Sequence, residues 1–551
     1  PEALGAVRGP ARLHWIRRTL PVVAALVLGL VGGKALWMHP PSIPKFHQVT
    51  FRRGVTWGAR FSPDGQTIVY AGAWEGKPYE LFTTRVGGPG SRSLGLPAAN
   101  LLAVSPAGEL ALSLIPSSTL ARVPLAGGAP REILADVESA DWGPEGLSLA
   151  VIHAASGRRR VEFPIGKVLY EAPSGLQDLR VSPKGDLIIV QGVGILDLAG
   201  NVLAKPTLQG DKDPVWSADG REIWCLRGSW ESNEIRAVTL SGRERVVARV
   251  PGDYRLDDMS RDGRLLMERV IGAHEIFGGG ERKTRETRLS WLSDGVPAGL
   301  SADGTRLLLS GFDRNEAYLR PTDGSPAIRL AAGRALALSP DGNWALVFDE
   351  VSGTLSLVPT GAGQPRTLDL KNLSFRGSRF GGASFFPDGK RLLIAAEQAG
   401  HQSRLYEVPL EGGELRPVTP EGVSSFPLGF EPISPDAKSL VISGPNGVVL
   451  WSLDAPEDQP RRVRGLSGGE APIRWSADGS ALFVEEFREL TTIVSRLDLR
   501  TGEKRPWKEL TPTDPTGVLS APHALITADG KFWIYSYWRD LSDLFVVEGL
   551  K

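Results

Sequence analysis

Cysteine occurs once in the 551 residues, methionine three times and histidine seven times. The single cysteine, Cys225 in the alternating run IWCL, excludes an internal disulfide framework and any CxxC redox or metal site. It reads instead as a small buried apolar residue. The histidines form no HxH, HExxH or HxxxH pair, so a zinc hydrolase lacks its ligand pattern. An excess of charge of one sign is also missing. Lys+Arg and Asp+Glu are 63 each, and no overall field draws the chain to nucleic acid. Extended helical patterns are few.

What is abundant is glycine, with 65 residues, and tryptophan, with 15. That balance suits an all-β protein rich in turns, and a chain of this length is expected to divide into several units. The first forty residues differ from the rest. Leu20–Gly33 (LPVVAALVLGLVGG) carries no charge, and after Lys34 the apolar run continues to Met38. This is close to the roughly 20 residues that cross a hydrocarbon core. Pro21 sits where a first helical turn accepts it, and Trp15 and Trp37 would mark the two interfaces, with Lys34 snorkelling outward. The expectation is a basic juxtamembrane segment at 1–18, a transmembrane helix at 19–38 and a stiff Pro-rich linker at 39–45.

A cleavable signal peptide is the rival, favoured by Arg17 and Arg18, but no small-x-small site follows. The opening on Pro1 reads as the mark of a preceding segment and favours an internal span. Four arginines before the span and three basic residues after it lean toward an N-terminus inside. Ala25, Gly29 and Gly33 recur at the spacing that lets two helices approach, so the lipid bilayer and a second copy of the chain are expected partners.

From residue 46 onward one short stretch dominates. FSPDG (61–65) returns as LSPDG, WSADG, FFPDG and close variants, and twelve such corners start at residues 62, 105, 143, 182, 217, 260, 301, 339, 386, 434, 476 and 527. Ser can bond the backbone at the first position, Pro presets φ at the second, Asp suits the third and Gly takes the left-handed fourth. Alternating apolar runs flank each corner, as in QTIVYAG and NWALVF, which makes it a hairpin. A second hairpin follows each time, such as TLARVPLAGGAPREI (119–133) or RLYEVPLEGGELRPVT (404–419). Two hairpins give four strands, the content of one propeller blade. Twelve repeats exceed one ring of four to eight blades. The expectation is two tandem β-propellers of about six blades, at 46–284 and 285–551, with a seven-plus-five division as the alternative. KFHQVTF (45–51) and RETRLSWL (285–292) would supply the closing strands.

These motifs resemble the TolB-type, WD40-like propeller repeat over about residues 46–551. The order of basic lead, single span, Pro-rich spacer and FHQVTFRRGVTWGARFSPDG is similar to the C-terminal half of bacterial eukaryotic-like serine/threonine protein kinases. That resemblance implies a kinase domain before the span and a propeller sensor outside it, in the periplasm or beyond. The kinase loops themselves, GxGxxGxV with VAIK, HRD and DFG, are absent, so this chain is expected to carry no phosphoryl transfer.

Other chemistry is poorly supported. GLSGG (465–469) matches a nucleophile elbow, but no strand-to-helix context surrounds it, and Ser467 reads as a turn serine. The third corner position accepts Ala107 and Lys184, so turn geometry explains the corner aspartates without calcium. No metal, cofactor or catalytic residue is expected. Trp142, Trp216 and Trp475 read as packing between blades.

The candidate site is the channel mouth. Four residues before each corner, the first six repeats present Gly58, Leu101, Ser139, Asp178, Asp213 and Leu256, with Asp257 one step on. The second six present Pro297, Ala335, Gly382, Phe430, Pro472 and His523. Converging carboxylates at Asp178, Asp213 and Asp257 suit a cation or amine-bearing ligand, and Phe430 and His523 are the corresponding candidates in the second ring. The plainer alternative is that these aspartates cap loop N–H groups. A ligand- or protein-binding sensor is the expected function. A TolB-like scaffold and a propeller hydrolase with a channel metal are the alternatives.

Overall fold

The computed structural model describes residues 44–88, 90–203, 212–281, 285–311, 314–377, 381–423, 430–444, 447–455 and 460–550. The expected span, with Ala25, Gly29 and Gly33, and most of the linker lie outside the described residues. Among the described residues there is no α-helix, and so none long and apolar enough to cross a membrane.

The corners form as their chemistry dictates. In the first, the Asp64 carboxylate accepts N–H bonds from Gln66 and Thr67, both at 2.8 Å, and a hydroxyl bond from Ser62. Gly65 closes the turn onto the Ser62 carbonyl at 2.8 Å with φ of 65°. These bonds, that from Ser62 foremost, hold the Asp64 carboxyl well below its usual range. Where Ala107 takes the third position, the serine serves alone: Ser105 Oγ accepts the N–H groups of Ala107 and Glu109.

Nearly every corner joins the first two strands of an antiparallel meander; at the corner starting at residue 434 a single bridge, Ile433 to Leu440, stands in for the first strand. Gly54–Phe61, Thr67–Trp74, Glu80–Arg85 and Arg92–Ser93 make one four-stranded sheet, and most of the eleven sheets among the described residues repeat this order. The innermost strands neighbour one another in turn. Gly54–Phe61 is followed by Ala99–Val104, Val137–Trp142, Leu179–Val181, Lys212–Trp216 and Asp253–Met259, which returns to Gly54–Phe61. This is a closed circuit, consistent with a β-propeller. A second circuit runs through Gly295–Leu300, Arg334–Leu338 and Ala383–Phe385, whose sheet packs on Phe430 and Ile433 beside Glu431, then Glu470–Trp475 and His523–Ile526, which touches Gly295–Leu300 again.

The apolar core lies between adjacent sheets. Trp142, Trp216 and Trp475 are each buried there. Trp216 Nε1 donates to the Arg180 carbonyl of the preceding sheet at 3.1 Å, and Trp475 Nε1 to the Pro432 carbonyl at 2.9 Å.

The two circuits meet in one pair of long strands. Leu265–Gly280 pairs antiparallel with Phe532–Glu548 without a break, from Leu265 opposite Val547 to Gly280 opposite Phe532. One end of this ribbon continues the Asp253–Met259 sheet, with Lys45–Gln48 on its outer edge against Phe545–Glu548. The other end continues from His523–Ile526, with Thr287–Arg288 on its outer edge against Phe277–Gly278. Each circuit therefore takes its last two middle strands from both halves of the chain. Leu544, Val546 and Val547 pack in the first circuit although they end the sequence. Ile276 and Ile534 pack together in the second. Arg53 adds an ion pair to Asp514 at 2.6 Å across the junction.

Candidate ligand-binding cavity

The inner strands do not run straight toward the axis. Register shifts interrupt the first ladder of nearly every complete sheet, between Trp57 and Ala59, Lys212 and Val215, and Leu256 and Asp258 among others. Such bulges re-aim side chains and are common beside sites. At one of them Asp213 adopts a left-handed backbone, φ 49°, which Asp tolerates better than most residues.

The result is a cavity of about 410 Å³ at the centre of the first circuit. All six positions counted from the first six corners, Gly58, Leu101, Ser139, Asp178, Asp213 and Leu256, line it, and Asp257 joins them. Three arginines that the counting missed, Arg60, Arg180 and Arg255, line it too. Arg60 and Arg180 stand two residues before their corners, and the same position elsewhere reads Asp141 and Asp258. That alternation of charge at one repeat position was the available signal. The cavity wall is thus mixed in charge and not simply acidic.

Most of these charges are matched. Arg180 Nη1 donates to Asp178 Oδ1 at 2.7 Å, and Ser139 Oγ donates to the same oxygen at 2.7 Å. Burial alone would raise Asp178, but Arg180 and Arg60 hold its carboxyl below the usual range. Arg60 Nη1 donates to the carbonyls of Ala59 and Asp257. Asp141 and Asp258 each accept an N–H from the neighbouring inner strand, at Val181 and Phe61 respectively. They act as clasps between sheets, and burial pushes Asp141 up to about 6.

Asp213, Asp257 and Glu268 are less well matched. Burial, reinforced by Asp178, raises Asp213 to about 6. Asp257 is only 5% exposed; its Oδ1 accepts the Ala59 N–H at 3.1 Å, while Oδ2 meets no hydrogen-bond partner. Burial and the nearby Glu268 push it well above the carboxylate range, and burial raises Glu268 to about 7. Arg255 lies 3.7 Å from Glu268 and 3.5 Å from Asp540, with its guanidinium 4.3 Å from the Trp57 ring centroid.

The second circuit has a smaller cavity of about 260 Å³. Ala302, Pro340, Pro387, Pro435, Ala477 and Ala528, the second residues of six successive corners, ring it. It therefore opens at the corner end, and its wall is largely apolar. Arg474 bonds Glu431 at 2.7 Å and the Ile526 carbonyl at 3.0 Å. Phe430 lines this cavity, but His523 lines neither. His523 Nδ1 lies 3.3 Å from Glu485 Oε1, which raises its pKa.

Ser467 lies in a turn, where its hydroxyl donates to Glu470 at 2.8 Å and a strand, not a helix, follows. Among the described residues no group of three or more His, Cys, Asp or Glu is placed to hold a metal ion.

No family model matches the chain, and no curated protein matches it either. Solved structures similar to it include one assigned as TolB of Agrobacterium tumefaciens, at 17% identity over 49% of this chain and 99% of that one, with a TM-score of 0.35. The GH74 enzyme of Niastella koreensis aligns at 9% identity over 87% of this chain and 90% of its own, with a TM-score of 0.32. The Cps50 (Swd1) β-propeller domain of Myceliophteria thermophila aligns at 13% identity over 60% and 100%, with a TM-score of 0.28. At such scores none of these likenesses bears on activity or partner, and the architecture rests on the sheet order described above.

Proposed function

We propose that this chain is a binding module of two six-bladed β-propellers, divided near residues 284 and 285 apart from the two long strands they share, that receives a ligand in the central cavity of the first. The observation that carries the reading is the convergence of one repeat position from six successive sheets on a single 410 Å³ cavity with incompletely matched charge. Concave, partly apolar spaces with a few convergent polar groups are where ligands bind. The module performs no chemistry of its own in this reading.

Its setting in the cell follows from the sequence. Residues 19–38 anchor it in a bilayer, the Pro-rich segment holds the propellers close to the outer surface, and Ala25, Gly29 and Gly33 pair two copies. The resemblance to receptor-like kinases makes it the sensor half of such a protein, passing ligand binding through the span.

The test is a thermal-shift screen of the full chain with chemically mixed small molecules, repeated on Gln177→Trp. Gln177 is an exposed residue on the cavity wall, so an indole there closes the entrance without disturbing the core. Ligands that stabilise the native chain and not the variant support the reading. Ligands that stabilise both equally place the site elsewhere and overturn it. The anchor is tested separately, by whether the chain expressed from its native gene resists carbonate extraction from membranes.

A second reading has its own observation. The apolar second cavity, with Phe430, Phe385 and Trp475 in its wall, fits a protein side chain better than a charged ligand, as a TolB-like scaffold would require.

A further inference from the structure

The first-circuit cavity is incompletely matched, and its unmade acceptors are carboxylates. Asp178 is matched by Arg180 and Ser139, Arg60 is held by two carbonyls, and Glu138 pairs with Arg159 at 2.5 Å. Arg255 is drawn to Glu268 and Asp540 and covers one face of Trp57. What remains on the lining residues is the buried Asp257 Oδ2, which has no hydrogen-bond partner, Asp213, whose backbone is held left-handed, and one donor, Arg255 Nη1, which faces Glu268 at 3.7 Å. A buried acceptor left unmade is costly, so an occupant that donates to it recovers that free energy.

The occupant suited to Asp257 and Asp213 is a compact donor, and a cationic one gains most from carboxylates. A divalent metal demands about six or more oxygen ligands for calcium, or an octahedral set for magnesium, and the described residues hold no such cluster. An ammonium group is satisfied by two or three acceptors. Trp57 is 45% exposed, and with Leu102 and Leu176 it offers apolar surface for an alkyl stem.

We propose that the cavity binds an alkylammonium ion, its –NH₃⁺ donating to Asp257 Oδ2 and Asp213 and its stem lying against Trp57 and Leu102. The inference rests on this cavity being the receptor site. The ammonium can come from a free amine or from a lysine side chain of a peptide, since both present the same group on the same stem.

Binding is coupled to protons. Asp257 faces Glu268, Arg60 and Asp213, and Asp213 faces Asp178, Arg255, Lys212 and Arg180. Burial leaves both carboxyls protonated at higher pH than usual, so the ammonium must displace protons and its affinity falls as pH drops through about 6.

Calorimetric titration of the full chain with cadaverine and with Nα-acetyl-lysine amide tests this, with 1,5-pentanediol and glutarate as neutral and anionic counterparts. The expected result is saturable binding of the amines alone, at least tenfold tighter at pH 7.5 than at pH 5.5. Asp213→Asn, which keeps a residue that tolerates the left-handed backbone, weakens it at least tenfold, and the exposed Glu132→Gln does not. Tighter binding of the lysine amide assigns the ligand to a peptide side chain, and tighter binding of cadaverine to a free amine; both support the proposal. Absence of saturable binding by either amine, or equal binding by Asp213→Asn, overturns it. If ligands blocked by Gln177→Trp are still found in the screen, only the ammonium falls. If none is found, the cavity falls with it.

Discussion

The two circuits use the same corner and close around different interiors. In the first, the position two residues before the corner reads Arg60, Ala103, Asp141, Arg180, Val215 and Asp258; in the second it reads Gly299, Ala337, Ser384, Pro432, Arg474 and Leu525. The first axis is therefore lined by opposed charges and the second by small or apolar groups with one Arg474–Glu431 pair. Repetition of a turn fixes how a sheet starts, while the few inward positions decide what the centre can hold. A scaffold can thus carry two sites of opposite character without changing its hairpins.

The largest expected effect comes from a place where the second circuit breaks the corner motif for the sake of packing. Phe386 occupies the position that is Ser in most corners and is fully buried against Leu393, Leu440 and neighbours, with Arg391 stacked 4.2 Å from its ring centroid. Phe386→Ser restores the motif and empties the core. Denaturant unfolding should show a loss of about 3–5 kcal/mol, the cost of truncating a buried Phe. A neutral result would mean the corner governs stability more than the core does.

The next contrast is between the two arginines. Arg180→Met strands Asp178 and Asp141 inside the first circuit and should cost about 3 kcal/mol, the lower end for breaking a buried pair. Arg474→Met faces Glu431, whose side chain is 43% exposed, and should cost nearer 1 kcal/mol. Equal losses in paired unfolding experiments would erase the distinction drawn between the interiors.

The pH-dependent effects change sign with the group. Glu268 is fully buried and raised to about 7, above its unfolded value. Its stabilising state is the protonated one, present below about pH 4 and lost as pH rises toward 7. Glu268→Gln should therefore stabilise the chain by roughly 1–3 kcal/mol at pH 8 and by nothing at pH 4. The corner aspartates run the other way. Asp341, lowered by the Ser339 hydroxyl, contributes above its unfolded pKa and loses that contribution as the medium turns acid. Stability curves of native and variant chains between pH 4 and 8 would show whether they converge at the acid end.

Much of the architecture was legible because it is local. SPDG specifies its turn through bonds within six residues, and Asp64, Ser62 and Gly65 make them whatever surrounds the loop. Counting four residues back from the corner reached the first cavity for the same reason. It worked less well in the second circuit, where Phe430 lines the cavity and His523 turns instead to Glu485. Arg60 and Arg180 escaped notice because a lone arginine in an alternating strand looks like a solvent-facing residue. Only the bulge and the closing of the ring turn it inward.

The sequence by itself determined the all-β class, the twelve corners and the inward repeat position, since each follows from turn chemistry and period-two alternation. Tertiary structure alone decided that Leu265–Gly280 and Phe532–Glu548 pair along their whole length and tie the circuits together. It also decided which carboxylates find arginines and which are left wanting a partner. Strand pairing across more than 250 residues and the charge balance of a closed cavity depend on which surfaces meet, and no local pattern records that.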